Sequence, residues 1–309
     1  MSSDPVKPQG SAGKASKDDL VDRVMVVGAT GLVGSHLVTA LEEDYIVHSV
    51  LRAEAGTEDH SARHHTIDLA SGWSAATLPE KVDAVVYLAQ SNRFRELPEQ
   101  ATHVVTVNTA SAVSMMNYAR QAGASKFVYA STGSVYPNSD LASSEQTPII
   151  ASSIRDFYTA TKLCSEILLE AMADQIDLTI LRIFFAYGRG QRSDMLLPRL
   201  VKRVRDGESV TLRGEDGFSL NPVHVSDVVR STKASLSLSG VHRINVAGPE
   251  VYTLRELTSV IGERLGRDPV FELQEADMNP GATVGDVSMM SQLLAPPDIT
   301  FSEGLEDLL

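Results

Sequence analysis

The chain has 309 residues, a formal charge of −13 and a single cysteine, Cys164. The acidic balance excludes wholesale binding to nucleic acid or to an anionic membrane surface, and no apolar run approaches the ~20 residues of a membrane-spanning helix. One cysteine excludes an internal disulfide framework and suits a reducing cytoplasm, and the length fits one large α/β domain or two closely joined ones.

Residues 1–19, "MSSDPVKPQGSAGKASKDD", are polar and lack the apolar core of a signal peptide, so they read as a disordered tail. Next, "RVMVVGA" reads as a strand and "GSHLVTALEE" as a helix. Between them stand Gly28, Gly31 and Gly34. Glycines let the backbone turn tightly and approach a pyrophosphate, and the following helix offers free N–H groups and the positive end of its dipole. Three glycines alone say little; a strand–turn–helix opening a domain points to dinucleotide binding, and a tight turn without ligand is the alternative.

"IVHSVL" is the second strand. An acid near its end would bind the ribose hydroxyls of NAD. Instead Arg52 stands 18 positions after Gly34, and a guanidinium welcomes a 2′-phosphate, which favours NADP(H) and leaves NAD(H) open. Asp68, in "TIDLAS", is placed to accept from an adenine amino group or to shape a turn. His60, His64 and His65 with Glu58 and Asp59 have no further ligand cluster beside them, so no metal site is expected.

"VDAVVYLA" is a further strand, 101–123 a long helix ending at Gly123, and "KFVYAS" the next strand. That strand's end carries Ser131, Thr132 and Ser134. The next helix opens with "FYTATK", which places Tyr158 and Lys162 four apart on one face. A phenol is a poor base at neutral pH. An ammonium and a cationic nicotinamide would lower its pKa, so that it takes a proton from an alcohol while a strand-end hydroxyl holds the reacting oxygen. "LTILRIFFAYG" is another strand, and beyond about residue 189 the pattern loosens. The βαβα alternation with near-continuous apolar strands predicts an α/β fold with a doubly wound parallel sheet. Residues 20–188 form its dinucleotide-binding domain, and 189–309 are mainly a smaller substrate-binding lobe with segments returning to the sheet.

The segments "GATGLVG", "ASTGSVY", "YTATK", "LRIFFAYG" and "NPVHVSD" occur in this order along nearly all of 22–309, and the chain resembles the extended short-chain dehydrogenases/reductases, the NAD(P)-dependent epimerase/dehydratase group. The resemblance implies a Rossmann sheet, a nucleotide-sugar substrate and a homodimer. It makes Thr132, Tyr158 and Lys162 the catalytic set. Its expected cofactor contacts are Gly28, Thr30, Gly31, Leu32, Val33 and Gly34 in the loop, Arg52, Asp68 and Leu69 at the adenosine end, and Leu88, Ala89, Gln90, Asn108 and Ser131 beside Tyr158 and Lys162. Two departures stand out. Dehydratases of the group carry an Asp–Glu pair after the threonine, where this chain has Gly133 and Ser134. Many of its epimerases carry an arginine for the diphosphate where this chain has Leu220.

Six basic residues lie between Arg189 and Arg205 with one intervening acid, Asp194. Arg189 and Arg192 are expected to replace the missing arginine, with Thr132, Ser134 and Asn221 completing the substrate contacts. Arg199, Lys202 and Arg203 read as a solvated helix face. Cys164 is expected in the core, and Met115 and Met116 lie on the helix that the resemblance places near a dimer interface. The reading is a cytoplasmic NAD(P)-dependent epimerase or keto-sugar reductase. The alternatives are an NADPH-dependent reductase of a non-nucleotide carbonyl compound and a non-catalytic NADP(H)-binding sensor.

Overall fold

The computed structural model describes residues 21–52, 63–154, 156–275 and 281–309. β1 (Arg23–Val27) leads through α1 (Leu32–Leu41) to β2 (Ile46–Leu51), β3 (His64–Thr66) and β4 (Ala84–Tyr87). α2 (Ala101–Val105) passes through a π-helical turn, Thr106–Ala110, into α3 (Ser111–Gln121). β5 (Lys126–Thr132), α4 (Phe157–Glu170) and β6 (Asp177–Ile183) follow. After α5 (Leu196–Asp206), β7 (Val210–Arg213) and β8 (Ser219–Leu220), the chain returns to the main sheet as α6 (Val225–Ser235) and β9 (Val241–Val246). β10 (Tyr252–Thr253), α7 (Leu254–Leu265), β11 (Phe271–Gln274), β12 (Ala282–Thr283), α8 (Ser288–Leu293) and α9 (Phe301–Gly304) complete the order.

Seven strands form one sheet in the order β3-β2-β1-β4-β5-β6-β9, and all neighbours run parallel. The order reverses between β1 and β4, and ligands of such folds bind at the carboxyl ends of the strands there. Strand periodicity explains the layers. Met25, Val27, Phe127 and Tyr129 point to the face covered by Met115, Met116 and Ala119 of α3. Their neighbours Val24, Val26 and Val128 point to the opposite face, covered by Leu37 and Leu41 of α1 and Val228 of α6. A third core, with Leu200 and Val204 of α5, Leu257 and Ile261 of α7, and Phe301, is built from elements that follow β6. The predicted α/β doubly wound architecture is the one observed.

Three local expectations change. The single long helix is interrupted by the π turn, whose carbonyls at Val107 and Asn108 accept hydrogen bonds from the phenols of Tyr87 (2.6 Å) and Tyr129 (3.3 Å), supplied by β4 and β5. Cys164 is exposed rather than buried, because it shares the outer face of α4 with Ile167 and Leu168. Met115 and Met116 lie wholly inside the core, so neither faces a partner.

Candidate active site

The loop after β1 is shaped for close approach. Gly28 has φ +91°, a conformation that L side chains rarely adopt, and a Cβ there would lie 2.9 Å from the backbone nitrogen of Ala89. A Cβ on Gly34 would collide with the carbonyl oxygen of Gly28. Gly31 caps α1 without a side-chain hydrogen bond, so the helix opens with its amide groups towards a cavity of about 570 Å³. That cradle, which any side chain would fill, fits a dinucleotide pyrophosphate.

The cavity gathers most of the expected residues. Gly28, Thr30, Gly31, Leu32, Val33 and Gly34 line one end. Arg52, Asp68 and Leu69 line the same end, where Asp68 Oδ1 also accepts from the amide of Ala70 at 2.9 Å. Leu88, Ala89 and Gln90 form the middle, and Ser131, Thr132, Ser134, Tyr158 and Lys162 the far end, beside Arg192. Asn108, Arg189 and Asn221 are not brought to it. Asn108 is buried in the π turn, where its Oδ1 accepts from the amide of Ser91 (2.8 Å) and its Nδ2 donates to Thr161 Oγ1 (3.0 Å). It braces the strand-end loop against α4. Asn221 is buried between backbone segments, exchanging hydrogen bonds with Gly285 at 2.9 and 3.0 Å. Arg189 is 81 % exposed and faces Asp307.

α4 aims the central pair. Asp156 caps it, its Oδ1 accepting from the amide of Thr159 at 2.7 Å. Tyr158, half-buried, lines the cavity together with Thr132, the group expected to steer the reacting oxygen. Lys162 is 2 % exposed, donates to the carbonyl of Ala130 at 2.8 Å and lies 4.8 Å over the Tyr129 ring. Burial pulls its ammonium down to about 7, against the attraction of Glu166. Tyr158 departs from expectation. Burial pushes its phenol well above the usual value, Asp156 adds to that, and the Thr132 hydroxyl is what pulls it down. Lys162 is not among the causes that act on this phenol.

Beneath this pair lies a polar layer the sequence did not disclose. Ser131 turns towards α4 and donates to Glu166 Oε1. Arg182 Nη2 donates to Glu166 Oε2 at 2.6 Å, its Nη1 to the Tyr136 phenol at 2.8 Å, and that phenol to Asn245 at 2.8 Å. A buried pair of this kind survives because each charge and lone pair is answered. Glu at +4 from Lys162 was the available signal, but its partner sits on another strand.

The wall beside Tyr158 is aromatic and cationic. Phe94 packs on Tyr158 with ring centroids 5.6 Å apart, and the Arg95 guanidinium lies 5.0 Å over Phe94. Phe185, at φ +46°, is held in a left-handed conformation costing on the order of 1–3 kcal/mol, and its ring faces the cavity. Phe184 occupies the space that a Cβ at Gly133 would need. Leu220 is wholly buried in β8, so nothing there reaches a ligand. His65 contacts His48 (3.1 Å) and the carbonyl of Thr77 (3.2 Å) through its two ring nitrogens, while Glu58, Asp59 and His60 lie outside the described residues.

The family model described as the NAD dependent epimerase/dehydratase family matches residues 24–247. The uncharacterized UDP-glucose epimerase YtcB of Bacillus subtilis (strain 168) is 28% identical over 311 residues, 92% of this chain and 95% of that protein. A dTDP-4-dehydro-6-deoxy-D-allose reductase of a Streptomyces species is 23% identical over 313 residues, 92% of this chain and 94% of that one. The structure of MoeE5 in complex with UDP-glucuronic acid and NAD superposes with a TM-score of 0.79 at 30% identity, covering 92% of this chain and 97% of that one.

Proposed function

We propose, from the premise that this chain belongs to the NAD dependent epimerase/dehydratase family and is an enzyme, that it acts as a 4-epimerase on a UDP-linked hexose or hexuronate. The observation that carries this is the gathering of Thr132, Tyr158 and Lys162 in the cavity that also holds the glycine cradle. The relatives named for UDP-glucose and UDP-glucuronic acid support the substrate class.

A nicotinamide dinucleotide bound along this cavity supplies reversible hydride acceptance at the sugar carbon. Tyr158, ionised under the positive charge that a bound nicotinamide and Lys162 would bring to it, would take the hydroxyl proton on its phenolate oxygen, becoming the neutral phenol, and return it when the opposite face is reduced. Thr132 Oγ1, which accepts from the amide of Ser134 at 3.2 Å, would hold the same substrate oxygen in line with the phenol. Lys162, poised near neutral pH, would hold positive charge under the site below about pH 7. Gly133 and Ser134 offer no acid–base pair for water elimination, and Phe184 leaves no room for a side chain at 133, which argues against a dehydratase.

A second reading is favoured by Arg52, which lines the adenosine end of the cavity where it would meet a 2′-phosphate: an NADPH-dependent keto-sugar reductase. NAD bound in the MoeE5 structure favours the first. The experiment is chromatography of nucleotides released by denaturing freshly purified protein, with proton NMR of UDP-glucose and UDP-glucuronate incubated with it. Co-purifying NAD with formation of the 4-epimer supports the epimerase. An unloaded protein that consumes NADPH with a keto-sugar nucleotide supports the reductase. Turnover of neither removes both.

The same reading places the enzyme in the cytoplasm as a homodimer. The exposed thiol of Cys164 supports a reducing compartment, and exposed Phe157, Ile167 and Leu168 on α4 support a self-association face.

A further inference from the structure

Two guanidiniums and one carboxylate meet at the mouth of the cleft from opposite walls. Arg95 comes from the connection between β4 and α2; Arg192 and Asp194 come from the connection between β6 and α5. Arg95 Nη1 donates to Asp194 Oδ2 at 2.7 Å and to the Asp194 carbonyl at 3.1 Å. Arg192 takes both carboxylate oxygens, Nε to Oδ1 at 3.0 Å and Nη2 to Oδ2 at 2.8 Å. Both arginines line the cavity. Arg95 stacks over Phe94, which packs on Tyr158, so the cluster stands one aromatic ring from the catalytic phenol.

The cluster is ill suited to holding the fold together. Its three side chains are 41–56 % exposed, and exposed ion pairs contribute only ~0–1 kcal/mol each. Two cations round one anion also leave an unbalanced positive charge at the cleft of a chain whose formal charge is −13. A fork-shaped, two-oxygen grip closed by a second guanidinium is the geometry in which arginines hold a phosphate or carboxylate of a ligand.

We propose that Asp194 is an internal stand-in for the anionic group of the substrate: Arg95 and Arg192 hold it until the substrate's anion takes its place. Arg95 is thereby a specificity residue, and Asp194 a competitor built into the chain that sets substrate affinity. This rests on the nucleotide-sugar reading above. The anion is either the diphosphate between nucleoside and sugar or a carboxylate on the sugar, two sources of one chemistry.

The test is calorimetric titration of the NAD-saturated full chain, as wild type, Asp194→Asn and Arg95→Gln, with uridine, UDP, UDP-glucose, UDP-glucuronate and inorganic pyrophosphate. Asp194→Asn should bind the anionic ligand about threefold to tenfold more tightly and Arg95→Gln more weakly by a similar factor, with uridine unmoved. Equal changes for UDP and both UDP-sugars identify the diphosphate; changes confined to UDP-glucuronate identify the carboxylate. Unchanged or weaker binding of every anionic ligand by Asp194→Asn, or unchanged binding by Arg95→Gln, overturns the proposal. If the wild type binds none of the uridine ligands, the nucleotide-sugar reading fails by itself. Pyrophosphate then decides the stand-in: tighter on Asp194→Asn and weaker on Arg95→Gln supports it, and no binding or no change overturns it.

Discussion

The glycine-loop end of the cleft and the end at Tyr158 are built by different means. At the first, backbone does the holding: Gly28 and Gly34 clear a space at the start of α1, and the residues responsible lie within seven consecutive positions. At the second, side chains do it: Phe94 and Arg95 face Phe185, Arg192 and Asp194 across the cleft, and Arg95 and Asp194 are 99 positions apart. A contact made by backbone demands a spacing of small residues; a contact made by paired side chains demands only that the fold bring them together.

Four changes break or sharpen that contrast, in falling order of expected effect. Tyr158→Phe should lower turnover by about 10²–10⁴-fold while cofactor affinity, set by the backbone end, stays near wild type. Steady-state rates and fluorescence titration of cofactor check this; a loss of cofactor affinity as large as the loss of turnover would mean that the two ends are not separable.

Lys162 gives a signature in stability against pH. Its folded pKa of about 7 lies below the ordinary 10.5, so between those values the unfolded chain binds more protons. The penalty of burying the ammonium is full below about pH 7 and disappears as pH rises towards 10.5. Stability should therefore rise by at most ~4 kcal/mol between pH 7 and 10, and Lys162→Met should flatten the rise. Urea unfolding at several pH values measures it; an identical slope in the variant would refute the burial argument.

Gly133→Ala should cost ~1–3 kcal/mol, because the new methyl meets Phe184, and a paired Phe184→Leu should recover part of the loss. Thermal unfolding of the single and double variants reads the coupling, and strict additivity would contradict the contact. Smallest is Arg52→Asp, which should move cofactor preference towards NAD by about tenfold. Competitive titration with the two reduced cofactors checks it; an unmoved ratio would remove Arg52 from cofactor choice.

What was legible follows the same division. The glycine loop, the strand-end hydroxyls and Tyr158 with Lys162 are short-range patterns, and the fold gathers them into one cavity. Gly133 announced its identity but not its cause, which is a phenylalanine on the next strand connection. Asn221 and Arg189 were drawn to the cleft by nearness in sequence, yet their side chains turn to Gly285 and to Asp307. The Glu166–Arg182 pair under the site links α4 to β6, a join that no local spacing encodes.

The central claim is that Tyr158, set in the cavity beside Thr132, moves the proton in a reaction at a nucleotide-linked sugar. Proton NMR of UDP-glucuronate incubated with NAD-saturated wild type and with Tyr158→Phe tests it most directly. The account predicts that the 4-epimer's anomeric signal grows to equilibrium with the wild type and stays absent with the variant. Epimer formation by the variant at the wild-type rate would contradict it.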